Sequence, residues 1–556
     1  MCPKSRLTRL RSQWPHSALR SLATRFPLTT VIVAATVMVA VDLGRRTLAT
    51  NDEARFAVLA QDILVRGDWL YPKLNGAIYH NKPPLLAWLI ALWSWPADHV
   101  TQFTAAIPSA LAGLATAVIV FMLGRSMFRD DVGRFAGLIT IASQGFFLHA
   151  RLPMPDMLLT CCITAALALL WPMTRGRAGP YWIGFYGSTA AGFWAKGPAG
   201  LLPLAVALMW GLVDRAPARW RTLRLGAGFL LLGALIGPWW LREALSPGVG
   251  AQQAIVTDQL SWYVIQAPSV RALLGPVRNL FGILFPWVLL LPLAVVQAVR
   301  KVRRREADRD PLFFLLLWSV VILVAVGLSQ QQRLRYYLPL VPPASLIIGW
   351  WFARAPEPGR QAGKAPWPLC GFIVAAMIGG ALGLTMLRGR LPVDVQMSLP
   401  ASPLEALLVG GALGIMLAAL VYGVALQRLA QTLVAVWVAA AVFVATAYHG
   451  EMSRRNEASD YAGLRASIAR RLVPTPPVVA VWGLQELPMS FYFERSVTEI
   501  ENESELLRVL ARDPRGVAIV TDTALAHSTV AGSVTTMLQE RFALRQVSVV
   551  TYRSSQ

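Results

Sequence analysis

Long apolar runs separated by short connectors constrain the fold of this chain more than any other feature. A membrane-spanning helix needs roughly 20 apolar residues, and 13 runs approach that length. Only 15% of the residues are charged, whereas about 25% is usual for soluble domains. The sequence therefore predicts an α-helical integral membrane protein with about 13 transmembrane helices. The predicted spans are 26–43, 101–124, 132–150, 156–173, 181–195, 198–214, 224–242, 276–299, 311–328, 336–353, 368–387, 404–426 and 430–448.

Arginine and lysine are concentrated in the connectors between these runs, which indicates membrane topology. The net charge is +22, but the sequence contains no zinc-finger, P-loop or RNA-binding aromatic motif, so no nucleic-acid partner is expected. With 13 spans, every basic connector and the basic N-terminal stretch fall on the cytoplasmic side, and the C-terminal tail falls outside. The basic connectors are 125–131, 174–179, 214–224, 300–310 and 354–364.

Two domains are predicted, a transmembrane domain at residues 1–449 and a periplasmic α/β domain at 450–556. The first external loop, 44–100, contains an apolar segment at 83–96 that is too short for a span, so we interpret it as interfacial or re-entrant. Strand-like and helix-like segments alternate along the tail, which is typical of a small α/β domain. Strands are predicted at 478–483, 496–500, 516–522 and 545–553, and helices at 504–512 and 528–542.

The first external loop also carries two carboxylates close to the membrane. Residues 50–67 predict an amphipathic surface helix, with Thr50 and Glu53 as a capping box and Gly67 as its stop. Asp52 and Glu53 lie in the first turn, where they either complement the helix dipole or take part in chemistry. Further along the loop, His80 together with a carboxylate is a candidate ligand for a divalent metal. The sequence alone does not establish that a metal binds there.

Several cations lie on the predicted external side, where positive residues are normally depleted. Each has an ordinary structural explanation, such as a lysine that extends to the membrane surface. Together with Asp52 and Asp156, they form a cationic ring suited to a lipid that bears a phosphate. The cations are Arg55, Lys82, Arg151, Lys196, Arg333 and Arg335, and two tyrosines follow the last of them, Tyr336 and Tyr337.

Five motifs, in chain order, carry a resemblance to a known family: NDEARF, NKPPLL, LPMPDMLL, KGP and RLRYYLPLVPPA. They resemble the GT-C-fold membrane glycosyltransferases, above all the bacterial enzymes that use undecaprenyl-phosphate sugars. Over its whole length the chain is similar to the lipid A aminoarabinose transferases. One motif departs from the family pattern: where Lys-Leu-Pro-x-Tyr is usual, residues 333–337 read Arg-Leu-Arg-Tyr-Tyr, which keeps the charge and loses the proline.

The resemblance implies a GT-C fold that transfers 4-amino-4-deoxy-L-arabinose from undecaprenyl phosphate to lipid A phosphates, giving resistance to polymyxin. It implies a multi-pass protein in the inner membrane of a Gram-negative bacterium, among membrane lipids, with a cytoplasmic N-terminus and an active site facing the periplasm. It places Asp52, Asp156 and Glu53 in the catalytic group. It places Lys82, Arg55, Lys196, Arg333, Arg335, Tyr336 and Tyr337 at the donor phosphate.

Two alternatives stay open at this point. A transferase that uses a polyprenyl-phosphate sugar but glycosylates a protein or another glycan would need the same phosphate site. A flippase for lipid-linked sugars would instead show paired repeats and charges at the membrane midplane, and few ionisable residues lie deep in the predicted spans.

Overall fold

A computed structural model describes most of the chain. The described residues are 27–177, 179–214, 221–245, 270–327, 329, 332–353, 366–426, 429–528, 530–542 and 545–553. The predicted cytoplasmic N-terminal stretch and the basic connector 354–364 lie outside them. So does most of the predicted external loop 243–275.

Helices account for nearly all of the described chain up to residue 471. Those of the membrane domain are α1 Pro27–Ala40, α2 Asn51–Arg66, α3 Leu85–Ser94, α4 Gln102–Met127, α5 Asp130–Ile141, α6 Gln144–His149, α7 Pro155–Thr174, α8 Tyr181–Lys196, α9 Leu202–Asp214, α10 Leu225–Leu245, α11 Val270–Leu284, α12 Leu291–Arg303, α13 Arg309–Gly327, α14 Val341–Ala353, α15 Trp367–Leu387, α16 Val393–Ser398, α17 Pro403–Ala425 and α18 Leu429–Ala458. Short 3₁₀ segments join some of them, including Gly197–Leu201 and Leu334–Leu340. A two-stranded hairpin, β1 Lys73–Leu74 and β2 Ala77–Ile78, follows α2.

Eight helical segments within the described ranges are long and apolar enough to cross a membrane. Every predicted span contains helix, but the predicted spans 181–195 and 198–214 form one such segment, Tyr181–Val213. Two other predicted spans are interrupted: 132–150 is divided between α5 and α6, and 276–299 between α11 and α12. The helical membrane architecture is therefore confirmed, while the count of 13 stays a prediction.

Helix α2 has the N-cap and the stop that its sequence predicts, but only half of the predicted capping box, since the Glu53 side chain accepts the Ala49 backbone N–H instead of that of Thr50. The Thr50 side chain accepts a hydrogen bond from the Glu53 backbone N–H, and Gly67 adopts the left-handed conformation (φ 69°) that ends the helix. Its apolar side chains Phe56, Leu59 and Ile63 are all buried. The segment 83–96 forms the short apolar helix α3, which packs against α2. The predicted external loop is thus a folded segment that packs against the helices of the bundle.

The C-terminal part is a mixed five-stranded sheet with helices. It contains α19 Tyr461–Arg471, β3 Val478–Trp482, α20 Glu486–Phe493, β4 Thr498–Ile500, α21 Glu503–Arg512, β5 Val517–Thr521, α22 Asp522–Ala526, β6 Val534–Phe542 and β7 Arg545–Tyr552. The strand order is β4-β3-β5-β7-β6, with β3 parallel to both β4 and β5 and with β7 antiparallel to both β5 and β6.

One predicted element of this domain is wrong. The helix expected at 528–542 is, over residues 534–542, the edge strand β6, which pairs with β7 along its length. Backbone hydrogen bonds to β7 and burial of Val534 and Phe542 outweigh the helix propensity of Met537, Leu538 and Gln539. The four predicted strands and the helix at 504–512 match observed elements.

Candidate active site

A cavity of about 290 Å³ collects most of the residues that the sequence singles out. It lies where the N-terminus of α2, the chain before α3, the start of α7, the end of α8 and the 3₁₀ segment 334–340 meet. The predicted site residues that line it are Asp52, Arg55, Lys82, Asp156, Lys196, Arg333, Arg335 and Tyr336. Tyr79 and Asn81 also line it, and no sequence pattern marks them beyond their closeness to Lys82.

Asp52 is surrounded by three guanidinium groups. Arg55 Nη1 lies 3.1 Å from its Oδ1, while Arg333 Nη1 and Arg335 Nη2 lie 2.5 Å and 2.8 Å from its Oδ2. Burial opposes ionisation of Asp52, but Arg335, Arg55 and Arg333 outweigh it and lower the pKa to about 2. Asp52 is consequently a permanent anion and a weak base.

Asp156 forms the deeper ion pair of the cavity. It lies in the first turn of α7, its side chain is 3% exposed, and it accepts a hydrogen bond from Lys196 Nζ at the end of α8. Arg335 Nε lies 3.7 Å from Asp156 Oδ2, so the Arg335 guanidinium connects Asp156 to Asp52. The Lys196 ammonium also lies 4.1 Å from the centre of the Tyr336 ring.

Lys82 differs from the other cations of the cavity. Its side chain makes no hydrogen bond or ion pair with any residue that the structure describes. Burial, together with the nearby charges of Lys196, Arg55 and Arg335, lowers the pKa of Lys82 to about 7. Lys82 is thus a cation without a direct partner, held in place beside Pro83 and Pro84 and facing a cavity that concentrates positive charge.

Four candidate site residues named from the sequence lie outside the cavity lining: Glu53, Tyr337, Arg151 and His80. Glu53 turns toward the base of α2, where Arg46 Nη2 and the Ala49 backbone N–H donate to it at 2.8 Å and 3.0 Å. Tyr337 is fully buried, and its hydroxyl donates to Gln332 Oε1. Arg151 is also buried and donates to backbone carbonyls of α1 and its C-terminal turn, which ties that helix to the bundle.

His80 lies 2.8 Å, through Nδ1, from Glu243 Oε2 at the end of α10. Glu243 also contacts Arg242, whose Nε donates to the Leu70 carbonyl at 2.9 Å. Burial and the Arg242 charge lower the pKa of His80. The contacts fasten the loop that carries Lys82 to α10, and no sequence signal links residues 163 positions apart.

The donor set for a metal is small at His80. No group of three or more histidine, cysteine, aspartate or glutamate side chains lies close enough to hold a metal ion anywhere in the described ranges. The carboxylate beside His80 is already engaged by Arg242. A divalent metal at this position therefore has no supporting ligand set among the described side chains.

The α/β domain contacts the helix that carries Asp52. Asn51, the neighbour of Asp52, donates its backbone N–H to Gln485 Oε1 at 2.6 Å and accepts the Leu487 backbone N–H at 3.0 Å. The Tyr492 hydroxyl accepts the Leu48 backbone N–H at 2.9 Å. Helix α20 therefore anchors the N-terminus of α2 and fixes the position from which Asp52 enters the cavity.

Known proteins are similar to this chain in sequence over part of its length. Residues 81–241 match the sequence profile of the dolichyl-phosphate-mannose-protein mannosyltransferase family. Undecaprenyl phosphate-α-4-amino-4-deoxy-L-arabinose arabinosyl transferases are similar in sequence. Transferase 1 of Pseudomonas fluorescens is 28% identical over 346 residues, which are 58% of this chain and 59% of that protein. The enzyme of Pseudomonas aeruginosa is 30% identical over 342 residues, 57% of this chain and 58% of that protein. The chain thus spans about three fifths of these relatives.

The likeness in structure is more extensive. The crystal structure of ArnT from Cupriavidus metallidurans bound to undecaprenyl phosphate aligns with a TM-score of 0.71 at 20% identity, covering 97% of this chain and 99% of that one. Its apo form aligns with a TM-score of 0.73 over 96% and 98% of the two chains. The predicted GT-C fold is therefore confirmed.

Proposed function

We propose that this chain transfers 4-amino-4-deoxy-L-arabinose from undecaprenyl phosphate to phosphate groups of lipid A. The single observation that carries the proposal is Lys82, a cation without a direct partner, in a cavity whose other cations pair with Asp52 and Asp156. A phosphate that enters this cavity finds one cation free and several guanidinium groups within reach. The fold shared with ArnT over nearly the whole chain supports the same assignment.

The reaction needs stabilisation of a leaving group more than it needs a base. The bond between the anomeric carbon and the donor phosphate oxygen breaks, and undecaprenyl phosphate leaves with the bonding electron pair. An oxyanion of the lipid A phosphate attacks the same carbon and forms the new bond. This acceptor oxygen carries no proton at neutral pH, so no proton transfer is required. Cations fixed beside the departing phosphate lower the barrier because charge develops there.

The residues then divide into two roles. Lys82 contacts the donor phosphate, with Arg55, Arg333 and Arg335 around it. Asp52, with a pKa of about 2, is too weak a base for proton abstraction, so we assign it to holding the three guanidinium groups in register. Asp156 performs the same task for Lys196. These positions make the cavity a rigid cationic cradle before the donor arrives.

The cellular setting follows from the same proposal. The enzyme lies in the inner membrane of a Gram-negative bacterium, with the N-terminus in the cytoplasm and the cavity facing the periplasm, where lipid A phosphates are accessible. Its product carries added amines, which reduce the attraction of the lipid for polymyxin and other cationic peptides.

Mass spectrometry of lipid A tests the proposal. The chain and a Lys82→Met variant are expressed in a Gram-negative host that makes the aminoarabinose donor but lacks its own transferase. Lys73→Met is the matched control, because Lys73 lies in the same external loop but outside the cavity lining. The parent and the control should add one or two aminoarabinose units, and the Lys82→Met variant none. Unmodified lipid A with folded parent protein in the membrane would contradict the assignment.

A second candidate function keeps the donor class and changes the acceptor. The match of residues 81–241 to a protein mannosyltransferase family favours a protein or another glycan in the place of lipid A. In the same host, this alternative predicts unmodified lipid A together with consumption of a polyprenyl-phosphate sugar and a glycosylated acceptor elsewhere in the envelope.

A further inference from the structure

A second charged cavity, of about 790 Å³, lies at the other end of α7. It is built from the C-terminal ends of α4 and α7, the connector after α7, and the connector between α12 and α13. The rise of α7 from Asp156 to Thr174 is about 27 Å at 1.5 Å per residue. This distance approaches the thickness of a bilayer core, so the cavity and the candidate active site face opposite membrane surfaces.

The acidic residues of this cavity are already engaged. Asp310 is within 2.8 Å of Arg175 and 3.2 Å of Arg309. Glu306 accepts from Lys301 at 2.5 Å, and Asp308 accepts the indole N–H of Trp350 at 3.1 Å. Each carboxylate therefore has a donor from the protein and does not compete for the remaining cations.

Two arginines of the lining have no such partner. The side chains of Arg177 and Arg305 make no hydrogen bond or ion pair with another residue in the described part of the chain, and both are exposed. The connector that presents Arg305 is held in an uncommon conformation, with positive φ at Arg305 (54°) and Asp308 (66°), two residues that are not glycine. Such conformations persist where the surroundings enforce them and are concentrated at binding sites.

The opposite wall of the cavity is apolar. Leu123, Met127 and Trp171 are buried in the bundle, whereas Met122 is 58% exposed on its outer surface. Arg175 lies 5.8 Å from the centre of the Trp171 ring. An apolar wall that reaches the outer surface of the bundle, next to free guanidinium groups, suits an amphiphile with an anionic head and hydrocarbon chains.

We propose that this cavity binds an anionic phospholipid, with its phosphate on Arg177 and Arg305 and its acyl chains along Met122 and the neighbouring apolar wall. The site is distinct from the donor cavity and independent of the proposed transfer reaction. Lipid phosphates prefer arginine because the guanidinium group donates two parallel hydrogen bonds. A zwitterionic lipid with the same chains lacks the net negative charge and binds more weakly.

Native mass spectrometry of the purified full-length protein tests this site. Phosphatidylglycerol is titrated against phosphatidylcholine with identical acyl chains, for the parent, Arg177→Ala, Arg305→Ala, the double variant and Arg300→Ala. Arg300 is the matched control, since it is exposed at the end of α12, near the same membrane surface, and does not line the cavity. The parent should retain phosphatidylglycerol in preference to phosphatidylcholine. Each cavity substitution should weaken its binding about tenfold, and Arg300→Ala should not.

Three results would overturn the proposal. Equal retention of phosphatidylglycerol by the parent and the double variant would show that these arginines do not bind it. An equal loss of phosphatidylglycerol binding in Arg300→Ala would show that the lipid responds only to the general positive charge of this surface. Inorganic phosphate that displaces the lipid completely at millimolar concentration would assign the site to a free anion. Thermal unfolding of each variant serves as the folding check, because it does not depend on the proposed transfer reaction.

Discussion

The two charged cavities at the ends of α7 contain the same kinds of ion pair in different surroundings. In the candidate active site, the Asp156 side chain is 3% exposed and its Lys196 partner 12%. At the other end, Asp310 is 36% exposed and its Arg175 partner 49%. Removing one partner of a buried ion pair strongly destabilises the protein, because the remaining charge is left buried without a counter-charge or water. Exposed pairs exchange with solvent and contribute about 1 kcal/mol or less. The buried pair therefore holds the side chains of the candidate active site in fixed positions. The exposed pair can open and allow a ligand to bind in its place.

The largest expected effect is the loss of the buried carboxylate. Asp156→Asn strands the Lys196 ammonium and should lower the free energy of unfolding by about 3–5 kcal/mol. The matched control is Asp310→Asn at the other end of α7, whose side chain is 36% exposed and pairs with Arg175, and which should cost about 1 kcal/mol or less. Denaturation of both purified variants in detergent measures the difference. Equal effects would break the contrast between the two ends of α7.

Removal of the cation without a direct partner should come next. Lys82→Met should weaken binding of undecaprenyl phosphate about 100-fold, since a buried contact to a charged group is typically worth about 2–5 kcal/mol. Protein stability should change little or improve, because Lys82 forms no ion pair in the described structure and its charge is costly to bury. Isothermal titration with undecaprenyl phosphate and thermal unfolding separate the two effects. A less stable protein with unchanged affinity for undecaprenyl phosphate would mean that Lys82 stabilises the fold and does not bind the donor.

The pKa of Lys82 predicts a pH dependence of donor binding. With a pKa lowered to about 7, the empty site loses its proton as pH rises through 7, and bound phosphate favours the protonated form. The dissociation constant should rise by up to about tenfold per pH unit above pH 7 and stay level, as far as Lys82 contributes, below it. Lys82→Arg keeps its charge throughout and should abolish this dependence. A parent profile that stays flat from pH 7 to 9 would contradict the assignment.

The smallest expected effect concerns the contact between the α/β domain and α2. Gln485→Leu removes the acceptor for the Asn51 backbone N–H, and the loss of this hydrogen bond should cost about 1 kcal/mol. If that energy serves to position Asp52, turnover should fall roughly fivefold. Gln485→Glu keeps an acceptor oxygen and should retain turnover. Steady-state transfer in proteoliposomes gives both values. An unchanged turnover in Gln485→Leu would restrict this contact to docking the domain.

Local patterns in the sequence predicted the elements that depend on near neighbours. The caps of α2 and the positions of β3, β4, β5 and β7 are of this kind, since hydrogen bonds and alternation within a few residues determine them. Most of the cations and carboxylates of the candidate site were also visible, because an excess of charge on the predicted external side can be recognised in the sequence itself.

What the sequence could not predict depends on distant partners. Glu53 and Asp52 are adjacent in one helical turn, yet one pairs with Arg46 and the other faces the cavity. The strand β6 replaces a predicted helix only because β7 is available to pair with it. The contact of His80 with Glu243 joins two separate elements. In each case packing between segments that are distant in the sequence determines the structure. The local periodicity of the sequence contains no information about such contacts.

Transfer measured with purified components tests both the proposed reaction and the role of Lys82 in it. Parent, Lys82→Met and Lys73→Met proteins are reconstituted in vesicles with undecaprenyl phosphate-aminoarabinose and lipid A, and modified lipid A is quantified by mass spectrometry in a single turnover. Modified lipid A and released undecaprenyl phosphate are expected with the parent and Lys73→Met, and about 100- to 1,000-fold slower transfer is expected with Lys82→Met. Equal rates for all three proteins, or no transfer by the folded parent, would contradict the proposal.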